Sequence, residues 1–436
     1  MTVINYIGNG IGYRLIDTFL SYDRNQVIKV DRRFLSIKLL PQILNLIGVK
    51  TITANTTKPY IMISPSNFKL KILPENHGDT VDSKVKCVSV IEQPLQYKLN
   101  IFRIEVMEFE SQIKSAIMKF SNFKPIEHGE KHLVNVLPWE RIEVISIDDS
   151  EKYLLIAKLP PLSIINYKLC EKVHLEESNE FKTGKLNIYT NNKTLEIGYE
   201  DLWWNFKNMD NVKMCVNAAT TKPIAYIKSD SGKFIIISEK VIAYFNRNVE
   251  IECWNDKGSI NYFTNLSYYS LEEPAFLSDV AWASYGIEGY GGLCFTIGDK
   301  VNVKASEGVL KFKCKQGFNV TFKPYIKTAL YGKVERTMLE HYHRPIIVNG
   351  KLEDAKFSLF SLSPDSTTIV KLNGIGKSFE TLIFNFSSKP TVVKVRCERF
   401  VESASLKYGG NVYFKGKVVL ANVGAYGLLP LKVKLL

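Results

Sequence analysis

Residues 281–317 read AWASYGIEGYGGLCFTIGDKVNVKASEGVLKFKCKQG, and this stretch decides the fold class. Small and aromatic residues broken by glycine lead into two segments, KVNVKA (300–305) and VLKFKCK (309–315), where apolar and charged residues alternate. A period of two is the pattern of a strand with one face buried and the other solvated.

The same pattern extends outward in both directions. Short runs rich in Val, Ile, Phe and Tyr, broken by Gly, Asn and Asp, fall at 185–190, 193–198, 233–238, 309–314, 380–386, 391–397 and 417–422. Many short strands at such spacing predict antiparallel sandwiches. The exception is MEFESQIKSAIMKF at 107–120, whose apolar residues recur at helical spacing beside Glu and Lys. The first ninety residues have α/β character. A β-branched run at 2–7 is followed by a glycine turn at 8–12, helical patterns at 13–22 and 39–47, and a strand at 49–53. The fold class expected is therefore mainly β, multi-domain, with antiparallel β-sandwiches and a small N-terminal α/β segment. Turn-rich stretches suggest domains at 1–90, 91–130 (a helix-containing connector), 131–175 (a small β domain), 176–340 (a large sandwich) and 341–436 (a terminal sandwich).

Composition narrows the function classes. The chain of 436 residues is 45% hydrophobic and 12% aromatic, ample for large cores. Its net charge of +13 comes from lysines scattered along alternating segments, where they occupy solvated faces. No basic run with interleaved aromatics forms a stacking groove, so no nucleic-acid partner is expected. The seven cysteines (Cys87, Cys170, Cys215, Cys253, Cys294, Cys314, Cys397) are odd in number and form no Cys-x-x-Cys pair, so reduced thiols are expected. No leader-like N-terminus and no apolar run of membrane-spanning length is present, which predicts a cytoplasmic protein with no membrane partner.

Several passages resemble one family. Trp282, the Gly-Tyr-Gly at 289–291 and the strand pair after them are similar to the C-terminal β-sandwich region of glycoside hydrolase family 38, the zinc-dependent α-mannosidases. Asn135, Leu137, Trp139 and Arg141 in NVLPWER match an element that opens a small β domain in that family. Pro160, Pro161, Leu162 and Tyr167 resemble its closing strand, with the family's Gly replaced. The last hundred residues look like the terminal sandwich, so the resemblance runs from Lys131 to Leu436. It implies the galactose-mutarotase-like supersandwich build.

At the N-terminus, Leu40, Pro41, Gln42, Ile43 and Leu44 resemble the barrel segment that follows the family's nucleophile. Asp31 is the candidate for that nucleophile, but it stands one residue too far from Pro41, beside Arg32 and Arg33, and Leu35 replaces the family's Gly. The family's zinc is held by two Asp and two His, one pair upstream of the nucleophile. Here the first histidine is His77. The resemblance thus implies a truncated remnant of the barrel, with no cofactor of its own. Zinc is expected only if a partner polypeptide supplies a complete barrel site.

Other constellations have plain structural readings. The glycines of GNGIG (8–12) lack the third position of a dinucleotide turn, which Tyr13 occupies. His128 and His132 are four apart in HGEKH and would share one face of a helix, but Gly129 makes a solvated linker the expected reading. His341-Tyr342-His343 reads as a loop or strand. Trp203 and Trp204, being adjacent, send one ring to the core and one to the surface of a strand; with Trp282 they are the candidate carbohydrate-binding residues. The reading that follows is a family-38-like carbohydrate-active protein lacking most of the catalytic barrel, serving as a non-catalytic glycan-binding or split-enzyme subunit. Its expected partners are an α-mannoside-containing glycan and a barrel-bearing chain. The alternatives are an active hydrolase pairing Asp31 with Glu75, Asp79 or Glu130, and a β-sandwich interaction protein with no sugar role.

Overall fold

The computed structural model describes the five strands given below before residue 109, and residues 109–436 apart from 218–222, 256–257, 265–266, 271–281, 288, 297–300, 307, 315–316, 328–331, 386, 388, 408–409 and 425–427. The chain divides into two units, one of Lys114–Thr264 and Tyr268–Ser361, the other of Met1–Ile113, Asn265–Ser267 and Leu362–Leu436. It is mainly β, built from several antiparallel sheets.

The first unit holds a ten-stranded and a seven-stranded sheet. The seven-stranded sheet runs Glu180–Thr183, Leu186–Thr190, Leu195–Tyr199, Leu202–Lys207, Val249–Cys253, Val309–Cys314, Val301–Ser306. The centre of the ten-stranded sheet is Ile224–Ser229, Gly232–Ile237, Lys240–Phe245, Phe318–Ile326 and Gly291–Thr296. Between the sheets lies one core in which Phe206, Phe234, Phe245, Phe312 and Phe322 meet mostly edge to face. The opposite face of the ten-stranded sheet is also covered. Tyr226, Ile235 and Ile242 pack with Leu154, Ile156 and Val173 of a three-stranded sheet, Glu171–His174, Tyr153–Leu159, Arg141–Ile147. Burial on both faces is why these central strands read as unbroken apolar runs such as FIII and VIAY, whereas the seven-stranded sheet alternates.

Two helices complete this description. Residues 109–120 are helical, as the spacing predicts, with Ile113, Ala116, Ile117 and Phe120 buried. The helix Val334–Tyr342 buries Val334 and Met338 against the strands Gly291–Thr296 and Phe318–Ile326; its sequence lacks a capping side chain, and Lys333 enters it with φ 55°. HGEKH is neither helix nor linker. It lies within the long strand Lys124–Asn135, where Gly129 is packed so closely on Gly350 that a Cβ would sit 2.8 Å from the Gly350 backbone.

In the second unit, residues 362–436 supply most of two four-stranded sheets. One is Phe360–Ser363, Thr391–Cys397, Val418–Val423, Val412–Lys415, and the other Thr367–Ile375, Ser378–Asn385, Leu428–Leu435, Val401–Leu406. Before residue 109 the described strands form one mixed sheet. Thr2–Tyr6 pairs in parallel with Val27–Asp31 and Lys86–Ser89, while Tyr60–Ser64 and Lys69–Leu73 add antiparallel. The helical patterns at 13–22 and 39–47, the strand at 49–53 and the glycine turn lie outside the described residues. Among the described residues no helix is long and apolar enough to cross a membrane.

Candidate functional site

The solvent face of the seven-stranded sheet carries two exposed aromatics, Tyr189 and Trp203. Leu202, Trp204 and Phe206 point into the core, so Trp203 and Asn205 must point out. Trp204 is fully buried, while Trp203 is 38% exposed. In the neighbouring strand Leu195, Ile197 and Tyr199 are buried, leaving Glu196 and Gly198 outside, and beyond it Leu186 and Ile188 leave Asn187 and Tyr189 outside. Antiparallel register then sets two rows across three strands: Asn187, Gly198, Trp203 and Tyr189, Glu196, Asn205.

Two rings thus flank a shelf. Tyr189, 41% exposed, and Trp203 stand two strands and one pleat apart, about 12 Å between Cα atoms at standard sheet spacings. On the strand between them stand Gly198, directly opposite Trp203, and Glu196, directly opposite Tyr189; Gly198 leaves its own position bare, since a Cβ there would have nothing closer than the Asn187 Cβ at 3.8 Å. Asn205 Oδ1 at the shelf's edge is cut off from solvent and has no hydrogen-bond partner. The ion pairs Lys207–Glu252 (2.7 Å) and Glu250–Lys311 (3.0 Å) border this region on the next strands. Such a face suits a ligand with an apolar C–H face to stack and hydroxyl groups to bond, which is the chemistry of a pyranose.

A second constellation gathers charge but no cavity. Asn135, fully buried, ties its turn together by donating to the carbonyls of Trp139 (3.0 Å) and Pro160 (2.7 Å) while accepting from Leu137 N–H (3.2 Å). That turn aims Trp139 Nε1 at Glu340 Oε1, 3.0 Å, and Arg336 lies over the indole at 4.8 Å. The other Glu340 oxygen accepts from Lys240 Nζ at 2.6 Å, and Lys240 also reaches Glu143 at 3.3 Å. Arg141 sits 3.5 Å from Glu143. Two glutamates thus share one ammonium. Their charge is already spent: burial works to raise the Glu143 pKa, but Lys240, Arg141 and Arg344 outweigh it and hold the carboxyl below its ordinary range. Burial pulls Lys240 down, and Glu143 and Glu340 more than restore it. A general acid needs the opposite shift. The NVLPWER element is therefore a structural clamp between the small sheet and the helix Val334–Tyr342.

The remaining sequence candidates are dispersed. Asp31 ends the strand Val27–Asp31 opposite Tyr60; its side chain, like Glu75 and Asp79, lies outside the described residues. Glu130 is exposed and accepts from Asn166 (2.7 Å) and Lys168 (2.5 Å), whose bonds lower its pKa, again the wrong direction for an acid. His128 is exposed and His132 fully buried, with Nδ1 2.9 Å from the Glu130 carbonyl. The ladder slips between Pro125, opposite Gly350, and Lys131, opposite Asn349, so His128 stands in a bulge while His132 is back in register. His341 belongs to a helix end rather than to a loop or strand; it faces Thr321 Oγ1 at 2.8 Å, and burial, then Arg344 and Lys240, push its pKa down to about 3. Trp282 opens the strand Trp282–Ile287, and its side chain lies outside the described residues.

Among the described residues no cluster of His, Cys, Asp or Glu could hold a metal. A cleft of about 510 Å³ in the second unit, lined by Lys371, Asn373, Glu380, Lys407 and Lys432, offers one carboxylate, and Lys432 holds it at 3.0 Å. Cys253, Cys294 and Cys397 are buried free thiols whose pKa burial raises. Sequence reading missed Tyr189, Gly198 and Asn205. The signal was present in the phase of Leu186 and Ile188, and of Leu202 and Phe206, which fixes the outward positions between them.

No family model matches the chain, and no curated protein matches it. Among solved structures it is similar to an alpha-mannosidase from Enterococcus faecalis V583, with TM-score 0.41 and 8% identity over 74% of this chain and 52% of that one. A protein in the glycosyl hydrolase family 38 from Enterococcus faecalis gives TM-score 0.41 and 8% identity over 74% of this chain and 54% of that one. The chain spans about half the length of these proteins. Likeness at this level concerns the fold alone, and no activity follows from it.

Proposed function

We propose that this chain is a non-catalytic carbohydrate-binding protein of the family 38 mannosidase type, which binds α-mannoside-containing glycans on the solvent face of its seven-stranded sheet. The observation that carries the proposal is the bare position of Gly198 beside the exposed ring of Trp203, with the exposed ring of Tyr189 on the far side of the same sheet face. The motif resemblance over Lys131–Leu436 supplies the sugar class. Support for a non-catalytic role comes from Glu143 and Glu340, two carboxylates held on one ammonium, that of Lys240. In this reading the acid pair and any zinc belong to a separate barrel-bearing polypeptide.

The test titrates the purified chain with α-mannobiose and with yeast mannan, following tryptophan fluorescence and heat. Binding that Trp203→Ala weakens tenfold or more, about 1.4 kcal/mol, supports the reading. Saturable binding that ignores Trp203, or none to either probe, overturns the site. Hydrolysis of an aryl α-mannoside by the chain alone overturns its non-catalytic character.

A further inference from the structure

Residues 362–436 hold eleven Lys and Arg against four Asp and Glu, an excess of seven that is more than half of the chain's +13. The two sheets in this region treat that charge differently. On the sheet containing Ser378–Asn385 and Leu428–Leu435, Lys432 pairs with Glu380 (3.0 Å) and Lys434 with Glu402 (2.6 Å). On the sheet containing Thr391–Cys397, Val418–Val423 and Val412–Lys415, the cations have no such partners among the described residues.

Register places them on one face. Val393, Val395, Val419 and Ala421 are buried, so Lys394, Arg396, Val418 and Leu420 face outward. Lys394, Leu420 and Tyr413 lie abreast, as do Arg396, Val418 and Lys415. Standard spacings make this a patch of about 7 by 10 Å, with three cations and a phenol at its corners and two aliphatic side chains between. Val392 (52% exposed) and Tyr413 (60%) stand out from the same face, and Phe400 beside it carries Lys417 Nζ 5.6 Å over its ring. No acidic residue interrupts the two rows.

We propose that this face docks peripherally on an anionic lipid surface. Charge complementarity asks for a polyanion, and the shape selects which kind. The cations form a two-dimensional array on a sheet, without a groove to follow a strand of nucleic acid or polysaccharide, and bulky apolar side chains project among them into the layer a headgroup region offers. The scattered lysines of the sequence are thus not all idle solvated charge.

The test is sedimentation of the full chain with phosphatidylcholine vesicles, with and without one-third phosphatidylserine. Anionic vesicles should bind and neutral ones should not. The triple variant Lys394→Ala/Arg396→Ala/Lys415→Ala should weaken binding about a hundredfold, near fivefold per charge, and leave mannoside binding unchanged. Raising salt from 0.05 to 0.5 M, on the order of a threefold shorter screening length, should release the wild-type chain; this arm stands even if the variant fails to fold. Equal binding to neutral vesicles, salt-insensitive binding, or an unaffected triple variant overturns the proposal. Tighter binding to a single-stranded oligonucleotide or to heparin than to the anionic vesicles overturns it in favour of a polymer.

Discussion

Gly198 stands directly across the antiparallel ladder from Trp203, and no side chain rises between the indole and Asn187 on the next strand. This pairing turns an ordinary solvated sheet face into a bare shelf beside a ring.

Substituting Gly198 separates binding from folding. Its φ is not left-handed and its Cβ position is open, so Gly198→Thr should leave stability unchanged or raise it by up to about 1 kcal/mol. The new side chain fills the shelf, and mannoside binding should fall at least tenfold in the same titration. Retained binding would move the ligand elsewhere. Gly350→Ala is the control in the other direction. Its Cβ would meet the Phe123 ring at 2.3 Å and the Lys124 carbonyl at 2.4 Å, and urea unfolding should show a loss of several kcal/mol.

Trp203 and Trp204 should part company under mutation. Trp204→Ala empties a fully buried site and should cost about 3–5 kcal/mol in urea unfolding. Trp203→Ala should cost no more than about 1 kcal/mol while removing binding. Equal destabilisation by both would mean that Trp203 is a packing residue.

Lys240 neutralises two glutamates at once. Lys240→Met leaves Glu143 buried with less opposing charge and should destabilise by about 3–5 kcal/mol at pH 7. The Glu143 pKa is depressed in the folded state, so its contribution is full above the ordinary value of 4.5 and is lost as pH falls through the lower, folded value. The wild-type chain should therefore lose stability below about pH 4.5, and the variant should show a shallower loss there. An identical acid limb in both would remove this cluster from the acid transition.

Glu335 behaves in the opposite sense. Its Oε2 is sealed from solvent without a partner, and burial raises the carboxyl to about 7. A raised acid binds its proton more tightly when folded, so the cost of ionising it appears as pH climbs from 4.5 to about 7, on the order of 3 kcal/mol. Glu335→Gln should be more stable than the parent at pH 8 and nearly equal to it at pH 4.5. No change in the difference between those two pH values would contradict the assignment.

The architecture was legible because periodicity is local. The alternation in LEIGY and LWWNFK and the unbroken run in FIII follow from how many faces each strand buries, and the helix at 109–120 announces itself at i, i+3 and i+4. The helix Val334–Tyr342 was not legible. It buries only Val334 and Met338 and enters through a left-handed Lys333 with no capping side chain, so packing on two strands holds it in place of any local signal. HGEKH misled for a related reason: its glycine serves a close approach to Gly350, far away in sequence.

What the sequence determined by itself is the mainly antiparallel β fold, the phase of each strand, and hence that one of two adjacent tryptophans must face solvent. Only the tertiary structure decided which side chains meet. Cross-strand register brings Tyr189, Gly198 and Trp203 onto one shelf, and chain folding brings Glu143 and Glu340 to one lysine, where their charge is cancelled. Side-chain alternation is fixed by the geometry of a single strand, whereas neighbours across strands depend on register and long-range packing, which no local pattern encodes.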